Sequence, residues 1–300
     1  MRPDQSKDYR CALTNVVNRE TFMKLTPKGN RVLITGAAKG FGRALALSFA
    51  HRGWRILLSD IDTEGLAETA ELVDLAGGMA HWVQCDITQP EQVTRMYDTA
   101  MELWQGVDVL INNAGIYAGG RFADIPESNW SKVLDTNLIG TIRCCQKFVP
   151  MFQKQRSGRI VNIASLSGIL PMPGSAFYSI SKAGIVNLSQ NLRIELRSYK
   201  VGVTVACPNL FPTGIFDNAE VLDPAMKGVF DNLMYYSKNT AAQVAETIYL
   251  AVMHDRFLVT TQEVKDVEFI AQFESGMEKS ALDMALLAKS LKNKTTLKRR

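Results

Sequence analysis

Apolar segments of strand length alternate with stretches of helical periodicity through most of the chain. The apolar segments lie near 31–35, 54–60, 80–85, 107–111, 158–164, 201–207 and 256–260. They are rich in β-branched residues and predict strands, and the stretches between them predict helices, with long ones at about 127–156 and 175–199. The alternation is typical of a parallel sheet. The predicted fold class is α/β, a doubly wound, mostly parallel sheet with helices on both faces.

One domain accounts for this pattern, with an extension at each end. We expect the domain to span 31–262, after an N-terminal extension of residues 1–30. Residues 263–300 continue at helical spacing and end in a basic tail, where 289–300 hold six basic residues and no acid. Such a tail is typically disordered and solvated, and an anionic membrane surface is its alternative partner.

A glycine-rich turn joins the first strand to the first helix. It contains Gly36, Lys39, Gly40, Phe41 and Gly42, in the pattern G-x3-G-x-G. Glycines allow the backbone to turn tightly and to approach a ligand closely, and a helix N-terminus offers free N–H groups to a pyrophosphate. The segment predicts a dinucleotide site. Taken alone, it is also compatible with a glycine-rich turn that binds nothing.

Asp60 ends the second strand, eighteen residues after Gly42. An acid at this place can accept hydrogen bonds from an adenosine ribose, which favours NAD(H). The alternative is that Asp60, with Asp62 and Thr63, starts the next helix, because Asp and Thr are favoured caps. Lys39 could pair with a 2′-phosphate, so NADP(H) stays open as a second cofactor.

Tyr178 and Lys182 lie four residues apart, after Ser165. On a helix this spacing places both side chains on one face. A free tyrosine titrates near ~10, and a neighbouring ammonium favours the phenolate. We therefore expect Lys182 to lower the pKa of Tyr178 into the range that is useful for acid–base catalysis.

Taken together, the ordered motifs resemble the short-chain dehydrogenase/reductase family in its typical single-domain form, with a Rossmann fold. The matching residues are Thr35-Gly36-x3-Gly40-x-Gly42, Asp86, Asn112-Asn113-Ala114-Gly115, Asn137, Ser165, Tyr178-x3-Lys182, Pro208 and Thr213. They cover about residues 30 to 260 in the family's order. The resemblance implies an NAD(P)-dependent oxidoreductase.

The resemblance implies four catalytic residues. Tyr178 exchanges the hydroxyl proton, Lys182 lowers its pKa and holds the ribose, and Ser165 polarises the substrate carbonyl, with Ser167 as an alternative. Asn137 holds a water that links the lysine to solvent. The other interpretation of Asn137, which lies in a helical stretch, is a surface or capping amide.

The resemblance also implies cofactor contacts beyond the glycine turn and Asp60. Asp86 contacts the adenine edge, and it could also cap the helix that follows, because the two roles are compatible. Ile87 is a further predicted cofactor contact. Asn113 lies beside the cofactor, and Thr213 contacts the carboxamide. With Tyr178 and Lys182, these residues complete the predicted cofactor site.

The region after the sixth strand departs from the family pattern. Asn209 follows Pro208, where glycine is usual, and because asparagine tolerates positive φ we expect the turn to be preserved. Residues 209–239 are rich in apolar side chains and form the region where the family builds its substrate pocket. They predict a hydrophobic substrate, although some of them pack onto the core.

Composition excludes several other classes of protein. The five cysteines form no C-x-x-C pair and read as reduced thiols, and the three histidines form no zinc motif, so no metal site is predicted. A net charge of +4 spread along the chain does not indicate nucleic acid binding. With neither a secretory signal nor an apolar run of the ~18 residues that span a bilayer, we expect a cytoplasmic protein.

The resulting hypothesis is an enzyme that transfers a hydride between NAD(H), or NADP(H), and a secondary alcohol or carbonyl of a small hydrophobic substrate. A catalytically silent nucleotide-binding regulator on the same fold is the alternative. The family commonly pairs subunits through the helices at about 127–156 and 175–199, so the resemblance implies a homodimer or homotetramer.

Overall fold

The computed structural model describes residues 27–170, 174–213, 215, 220–221, 237 and 239–261. The predicted C-terminal extension 263–300, most of the N-terminal extension and most of the substrate loop lie outside these residues.

A seven-stranded parallel sheet forms the centre of the molecule. Its strands are β1 (Arg31–Thr35), β2 (Arg55–Asp60), β3 (Met79–Gln84), β4 (Val109–Asn112), β6 (Arg159–Ile163), β7 (Gly202–Cys207) and β9 (Leu258–Thr260). Their spatial order is β3-β2-β1-β4-β6-β7-β9, and every neighbouring pair is parallel. Two short strands, β5 (Ala118–Gly119) and β8 (Glu220–Val221), form a separate parallel pair.

Helices connect the strands and cover both faces of the sheet. They are α1 (Gly40–Ala50), α2 (Thr63–Leu75), α3 (Pro90–Trp104), α4 (Glu127–Leu134), α5 (Thr141–Gln155), α6 (Ala176–Leu196) and α7 (Ala241–Met253). A π-helical segment, Asp135–Gly140, joins α4 to α5 without a break. Short 3₁₀ turns lie at Phe122–Asp124, Leu166–Gly168 and Arg197–Tyr199.

The core is divided by the sheet into two layers. On β1, Val32 and Ile34 face the layer that contains α1, α2 and α7, whereas Leu33 faces the layer that contains α3, α5 and α6. Because successive side chains of a strand point to opposite faces, a strand covered on both sides must be apolar throughout. This is why the central strands appear in the sequence as uninterrupted apolar runs.

The predicted fold class is confirmed, and the strand limits agree to within two residues. Two features were not predicted. The β5–β8 pair is only two residues long on each side, too short to leave a periodic signal. The long helix expected at 127–156 is continuous but changes to π-helical geometry around Asn137, and π-helical turns are rare and often lie at functional sites.

Strand order reverses between β1 and β4, because the chain runs outward from β1 to β3 and then returns to the other side of β1. In doubly wound sheets, ligands bind at the carboxyl ends of the strands beside this reversal. The predicted site residues lie at or after the ends of β1, β2, β3, β4, β6 and β7, on α6 beside them, or, in the case of Asn137, in the π-helical segment Asp135–Gly140.

Candidate active site

The turn between β1 and α1 presents a free helix N-terminus. Lys39 is the N-cap of α1, its side chain makes no capping hydrogen bond, and the first turn contains no acidic residue. The N–H groups of this turn are therefore available to an anion, and the helix dipole favours a negative charge there.

Two glycines in this turn are required by its geometry. Gly40 has φ +54°, and a Cβ there would overlap the carbonyl oxygen of Thr213. A Cβ at Gly42 would overlap the carbonyl oxygen of Gly36. The turn is thus tightly wound and packed against the segment after β7, which brings Thr213 to the predicted site. The backbone and the uncapped helix together fit the pyrophosphate of a dinucleotide.

The Asp60 side chain is hydrogen-bonded to this turn. Its Oδ2 accepts a 3.1 Å hydrogen bond from the Ala38 amide, and its Oδ1 accepts from the amides of Ile61 and Asp62. The cap of α2 is Asp62, which accepts from Gly65 N, so Asp60 does not start the helix. Its carboxylate is held beside the glycine turn, where the ribose of a dinucleotide would lie.

Asn113 joins the end of β4 to the same turn. Its Nδ2 donates to the carbonyl oxygens of Thr35 and Gly36 at 3.0 and 2.9 Å, and its amide donates to Thr35 Oγ1 at 3.0 Å. The structure therefore places Asn113 against the glycine turn, where it supports the turn's conformation.

Asp86 and Ile87 follow β3. The Asp86 Oδ1 accepts a 2.8 Å hydrogen bond from Thr88 N, while the N-cap of α3 is Gln89. The alternative that Asp86 caps this helix is therefore wrong. Ile87 is buried against Gly140, where a Cβ would come within 2.7 Å of Ile87 Cδ1.

Tyr178 and Lys182 lie near the start of α6 and are both buried. Lys182 Nζ donates a 2.9 Å hydrogen bond to the carbonyl oxygen of Ile163 and lies 5.7 Å from the centroid of the Tyr178 ring. The spacing prediction is confirmed in that one helix face brings the two side chains together.

The predicted pKa of Tyr178 is wrong for the protein without cofactor. Burial raises the pKa of Tyr178 to about 12, and hydrogen bonding with Ser165 acts in the opposite direction. Burial also lowers the pKa of Lys182 to about 8. Removal from water disfavours the charged form of either group, and it is the largest cause of both shifts.

Ser165 follows β6 and is half-buried. Its Oγ accepts a 3.2 Å hydrogen bond from Ser167 N, and its side chain is the one that interacts with Tyr178. Of the two serines considered in the sequence, Ser165 is therefore the one that the fold brings to the tyrosine.

Asn137 lies in the π-helical segment and is completely buried, so the alternative of a surface amide is wrong. It makes a reciprocal pair with Ile116: Nδ2 donates to the carbonyl oxygen at 2.9 Å, and Oδ1 accepts from the amide at 2.8 Å. Its Nδ2 also donates to Ser181 Oγ at 3.1 Å. Asn137 thus connects the strand-end segment after β4 to α6.

Three residues beside this site were not predicted. Ser181 donates to the carbonyl oxygen of Tyr178 at 2.7 Å while it accepts from Asn137. Tyr117 packs its ring on Tyr178, and the buried Cys207 interacts with the Ser165 backbone and the Lys182 charge. Cys207 is the last residue of β7, and Tyr117 lies in the segment between β4 and β5; this closeness to strand ends was the available signal.

Asn209 does not use the positive φ that asparagine would tolerate. Asn209 is absent from the non-glycine residues with positive φ among those described, which are Gln105, Arg156, Lys200 and Asp255. Its Oδ1 instead accepts from the amide of Leu210 at 2.7 Å, and its amide donates to Thr261 Oγ1 at 3.2 Å. The turn is held by these side-chain bonds rather than by a left-handed backbone.

Two further properties concern the described residues only. None of their helices has both the length and the apolar content to cross a bilayer. Within the same residues, no group of three or more His, Cys, Asp or Glu side chains could hold a metal ion.

Two solved structures share this architecture. A short-chain dehydrogenase/reductase from Burkholderia phymatum, in complex with NAD, is 30% identical with a TM-score of 0.74, and the match covers 80% of this chain and 90% of that one. A variant of the actinorhodin polyketide ketoreductase with NADPH is 26% identical with a TM-score of 0.70, covering 79% and 97%.

Curated relatives are similar at the level of sequence. The 3β-hydroxysteroid dehydrogenase 1 of Eggerthella lenta is 34% identical over 210 residues, which are 69% of this chain and 80% of the relative. The 3-oxoacyl-(acyl-carrier-protein) reductase FabG of Staphylococcus epidermidis is 34% identical over 177 residues, 59% and 72% of the two chains. The family model described as short chain dehydrogenase matches residues 30–221. The protein therefore belongs to the short-chain dehydrogenase family of oxidoreductases.

Proposed function

We propose that this enzyme transfers a hydride between NAD(H) and a secondary alcohol or ketone, with Tyr178 as the proton donor and acceptor. The observation that carries the proposal is the arrangement around α6. Tyr178 and Lys182 lie together on this helix, the Ser165 side chain interacts with the phenol, and Asn137 is bonded to Ser181 between them. All of these groups lie at the carboxyl edge of the sheet that carries the glycine turn.

Each side chain has a defined task in this reaction. The bound nicotinamide accepts or supplies the hydride. In alcohol oxidation, the Tyr178 phenolate removes the hydroxyl proton while Ser165 donates a hydrogen bond to the same substrate oxygen. In ketone reduction, the Tyr178 phenol returns the proton. Lys182 has three donors, and the hydrogen bond to Ile163 uses one of them, which leaves two for a ribose and a proton path.

The high pKa of Tyr178 determines whether this residue starts as a phenol or as a phenolate in the free protein. A buried phenol with a pKa of about 12 holds its proton at neutral pH and serves directly as the acid for ketone reduction. Alcohol oxidation needs the phenolate, so the charge of Lys182 and the bound cofactor must lower this pKa first. This concerns only the protonation state from which Tyr178 starts, because an enzyme does not change the equilibrium between an alcohol and a ketone.

Asp60 supports NAD(H) over NADP(H). Three amides hold its carboxylate beside the glycine turn, where it can accept from a ribose hydroxyl but repels a 2′-phosphate. The nearby guanidinium of Arg43 is paired with Glu68 and bonded to the Ala38 carbonyl, so it is not directed at such a phosphate. Lys39 is exposed in the turn, where it could pair with a 2′-phosphate, so it weakens the preference for NAD(H) over NADP(H).

The proposed substrate is a hydrophobic ketone or alcohol. The names of the two relatives refer to a hydroxysteroid and a 3-oxoacyl group, which carry a secondary alcohol and a ketone respectively. The apolar loop 209–239 supports this class, although most of it lies outside the described residues. Phe211, the third residue of this loop, is buried against the Phe41 ring in the glycine turn, with centroids 5.0 Å apart.

We also propose a homodimer or homotetramer in the cytoplasm, and no contact with nucleic acid. The presence of all four proposed catalytic side chains in the described site disfavours a catalytically silent regulator.

A coupled fluorescence assay tests the proposal. NADH and NADPH are each followed during reduction of a panel of steroid ketones, 3-oxoacyl thioesters and small polar ketones. We expect NADH-dependent turnover with at least one apolar ketone and slower turnover with the polar ones. Binding of NADH without turnover of any ketone, or of any alcohol in the reverse assay, would indicate the regulator instead.

A further inference from the structure

A four-residue segment after β4, residues 117–120, contacts the catalytic helix and the substrate loop at once. Ala118 and Gly119 form β5, which pairs with β8 in the loop. The amide of Gly120 donates a 2.8 Å hydrogen bond to the carbonyl oxygen of Gly174, just before α6. The segment therefore has a fixed place between the loop and the start of the helix that carries Tyr178.

Tyr117 is the side chain through which this segment reaches the catalytic tyrosine. The two rings are tilted by 59° with centroids 4.9 Å apart, a distance at which aromatic pairs attract each other. Both rings are buried, with Tyr117 5% and Tyr178 8% exposed. Tyr117 thus forms part of the wall that keeps water from the Tyr178 phenol.

The hydroxyl group of Tyr117 fixes its own ring. Its oxygen lies 2.8 Å from the Oγ of Ser175, the residue that precedes α6, and Ser175 is 1% exposed. The carbonyl of Ser175 in turn accepts from the Ser179 amide at 2.8 Å. Gly119 approaches the hydroxyl closely, since a Cβ at this glycine would come within 2.8 Å of it. The ring orientation is therefore set at both ends.

We infer that Tyr117 is a positioning residue for Tyr178, which it holds in a dry, fixed orientation through ring packing and the hydrogen bond to Ser175. The inference rests on the proposed function, because it assumes that Tyr178 transfers the proton. Misplacement of a reacting group by about 1 Å can reduce turnover by ~10²-fold. The adjacent β5–β8 pair also joins this segment to residues 220–221 of the substrate loop.

Two variants of Tyr117 and one matched control test the inference. Tyr117→Leu removes the ring, Tyr117→Phe removes only the hydroxyl, and Tyr249→Leu removes a ring from the core layer that contains α1, α2 and α7. Tyr249 is 8% exposed and packs on Phe49 with centroids 4.9 Å apart, so the control has similar burial and ring contacts. We expect Tyr117→Leu to lower kcat by roughly 10- to 100-fold, with NADH affinity unchanged and a loss of thermal stability similar to that of Tyr249→Leu.

The pH profile separates positioning from a general loss of stability. Burial raises the pKa of Tyr178, so water admitted by Tyr117→Leu should lower it. The midpoint of the rise of kcat with pH in alcohol oxidation should therefore move to lower pH, and it should not move in Tyr249→Leu. Equal kcat values and equal midpoints in the two leucine variants would overturn the inference.

If Tyr117→Leu fails to fold, a double-mutant cycle tests whether Tyr117 positions Tyr178. Tyr117→Phe and Ser175→Ala remove the two ends of one hydrogen bond, so the double variant should lose no more kcat than the single ones. Fully additive losses would contradict the inference. Wild-type turnover in Tyr178→Phe would instead show that the proposed function is wrong, whatever the Tyr117 variants do.

Discussion

Lys182 Nζ is bonded to the carbonyl oxygen of Ile163, the last residue of β6, at 2.9 Å. This bond joins the helix that carries Tyr178 to the strand that leads to Ser165. A buried ammonium needs hydrogen bonds in place of water, and this carbonyl provides one at the edge of the sheet where the cofactor would bind. The relation explains how the lysine is kept in place before any ligand arrives.

The first prediction concerns the stability cost of burying Lys182. Its pKa is lowered from 10.5 to about 8 in the folded protein, so between these pH values the unfolded chain binds more protons. The unfolding free energy of the wild type should therefore rise with pH across this window. Lys182→Met lacks the titrating group, so its unfolding free energy should not show this rise. The difference in unfolding free energy, variant minus wild type, should therefore become more negative by on the order of 3 kcal/mol from pH 8 to 10.5.

Urea unfolding of both proteins without cofactor, at several pH values, measures this difference. The side chain is 4% exposed, so solvent screening is small. A stability difference that stays constant from neutral pH to pH 10.5 would show that the ammonium is not buried as described.

The sequence predicted the main elements because their causes are local. Leu33 and its neighbours in β1 are buried on alternate faces, and such a strand must be apolar at every position. The spacing of Tyr178 and Lys182 follows from helix geometry alone. The glycines of the first turn mark a conformation that other residues adopt poorly.

The features that were missed depend on distant contacts. The pKa of Tyr178 is set by how deeply its ring is buried, and Tyr117 contributes to that burial from another part of the chain. The spacing of residues along the chain carries no information on the burial of the Tyr178 ring or on its contact with Tyr117. The π-helical turn around Asn137 places its amide between Ile116 and Ser181, a tertiary requirement that overrides ordinary helix geometry.

A second prediction concerns cofactor choice. Asp60→Ala removes the carboxylate that repels a 2′-phosphate, so the preference for NADH over NADPH should narrow or reverse. Asp62→Ala is the control, because Asp62 caps α2 and its loss should reduce stability by about 1 kcal/mol without changing the preference. Fluorescence titrations give both affinities. Tighter binding of NADPH than of NADH by the unmodified protein would refute the assignment of Asp60.

A third prediction uses two glycines with similar backbones. Gly40 has φ +54° and Gly53 has φ +69°, but a Cβ at Gly53 would have nothing within 4 Å, whereas one at Gly40 would overlap the carbonyl of Thr213. Gly40→Ala and Gly53→Ala should both lose roughly 1 kcal/mol or more of stability from backbone strain. Only Gly40→Ala should lose NADH affinity, by at least about tenfold, since each ~1.4 kcal/mol is a factor of ten. Equal affinities in the two variants would mean that the turn does not hold the cofactor.

A fourth prediction concerns assembly. Ile180 lies on α6 two residues after Tyr178 and is 51% exposed. If α6 lies in the subunit interface, as the family resemblance implies, Ile180→Lys should shift the protein to smaller species in size-exclusion chromatography with light scattering. Leu75→Lys, on the exposed end of α2, should not.

The same measurement tests the basic tail, which lies outside the described residues. Deletion of residues 289–300 should leave the oligomer and its activity unchanged. An inactive or monomeric product would show that the tail is structural.

The most direct test of the whole account is turnover by Tyr178→Phe. The variant keeps the ring but loses the only group proposed to transfer the proton at the reacting oxygen. We expect kcat to fall by at least ~10²–10⁴-fold, while NADH titration gives an affinity close to that of the wild type. Turnover near the wild-type value in a variant that still binds NADH would contradict the proposed mechanism.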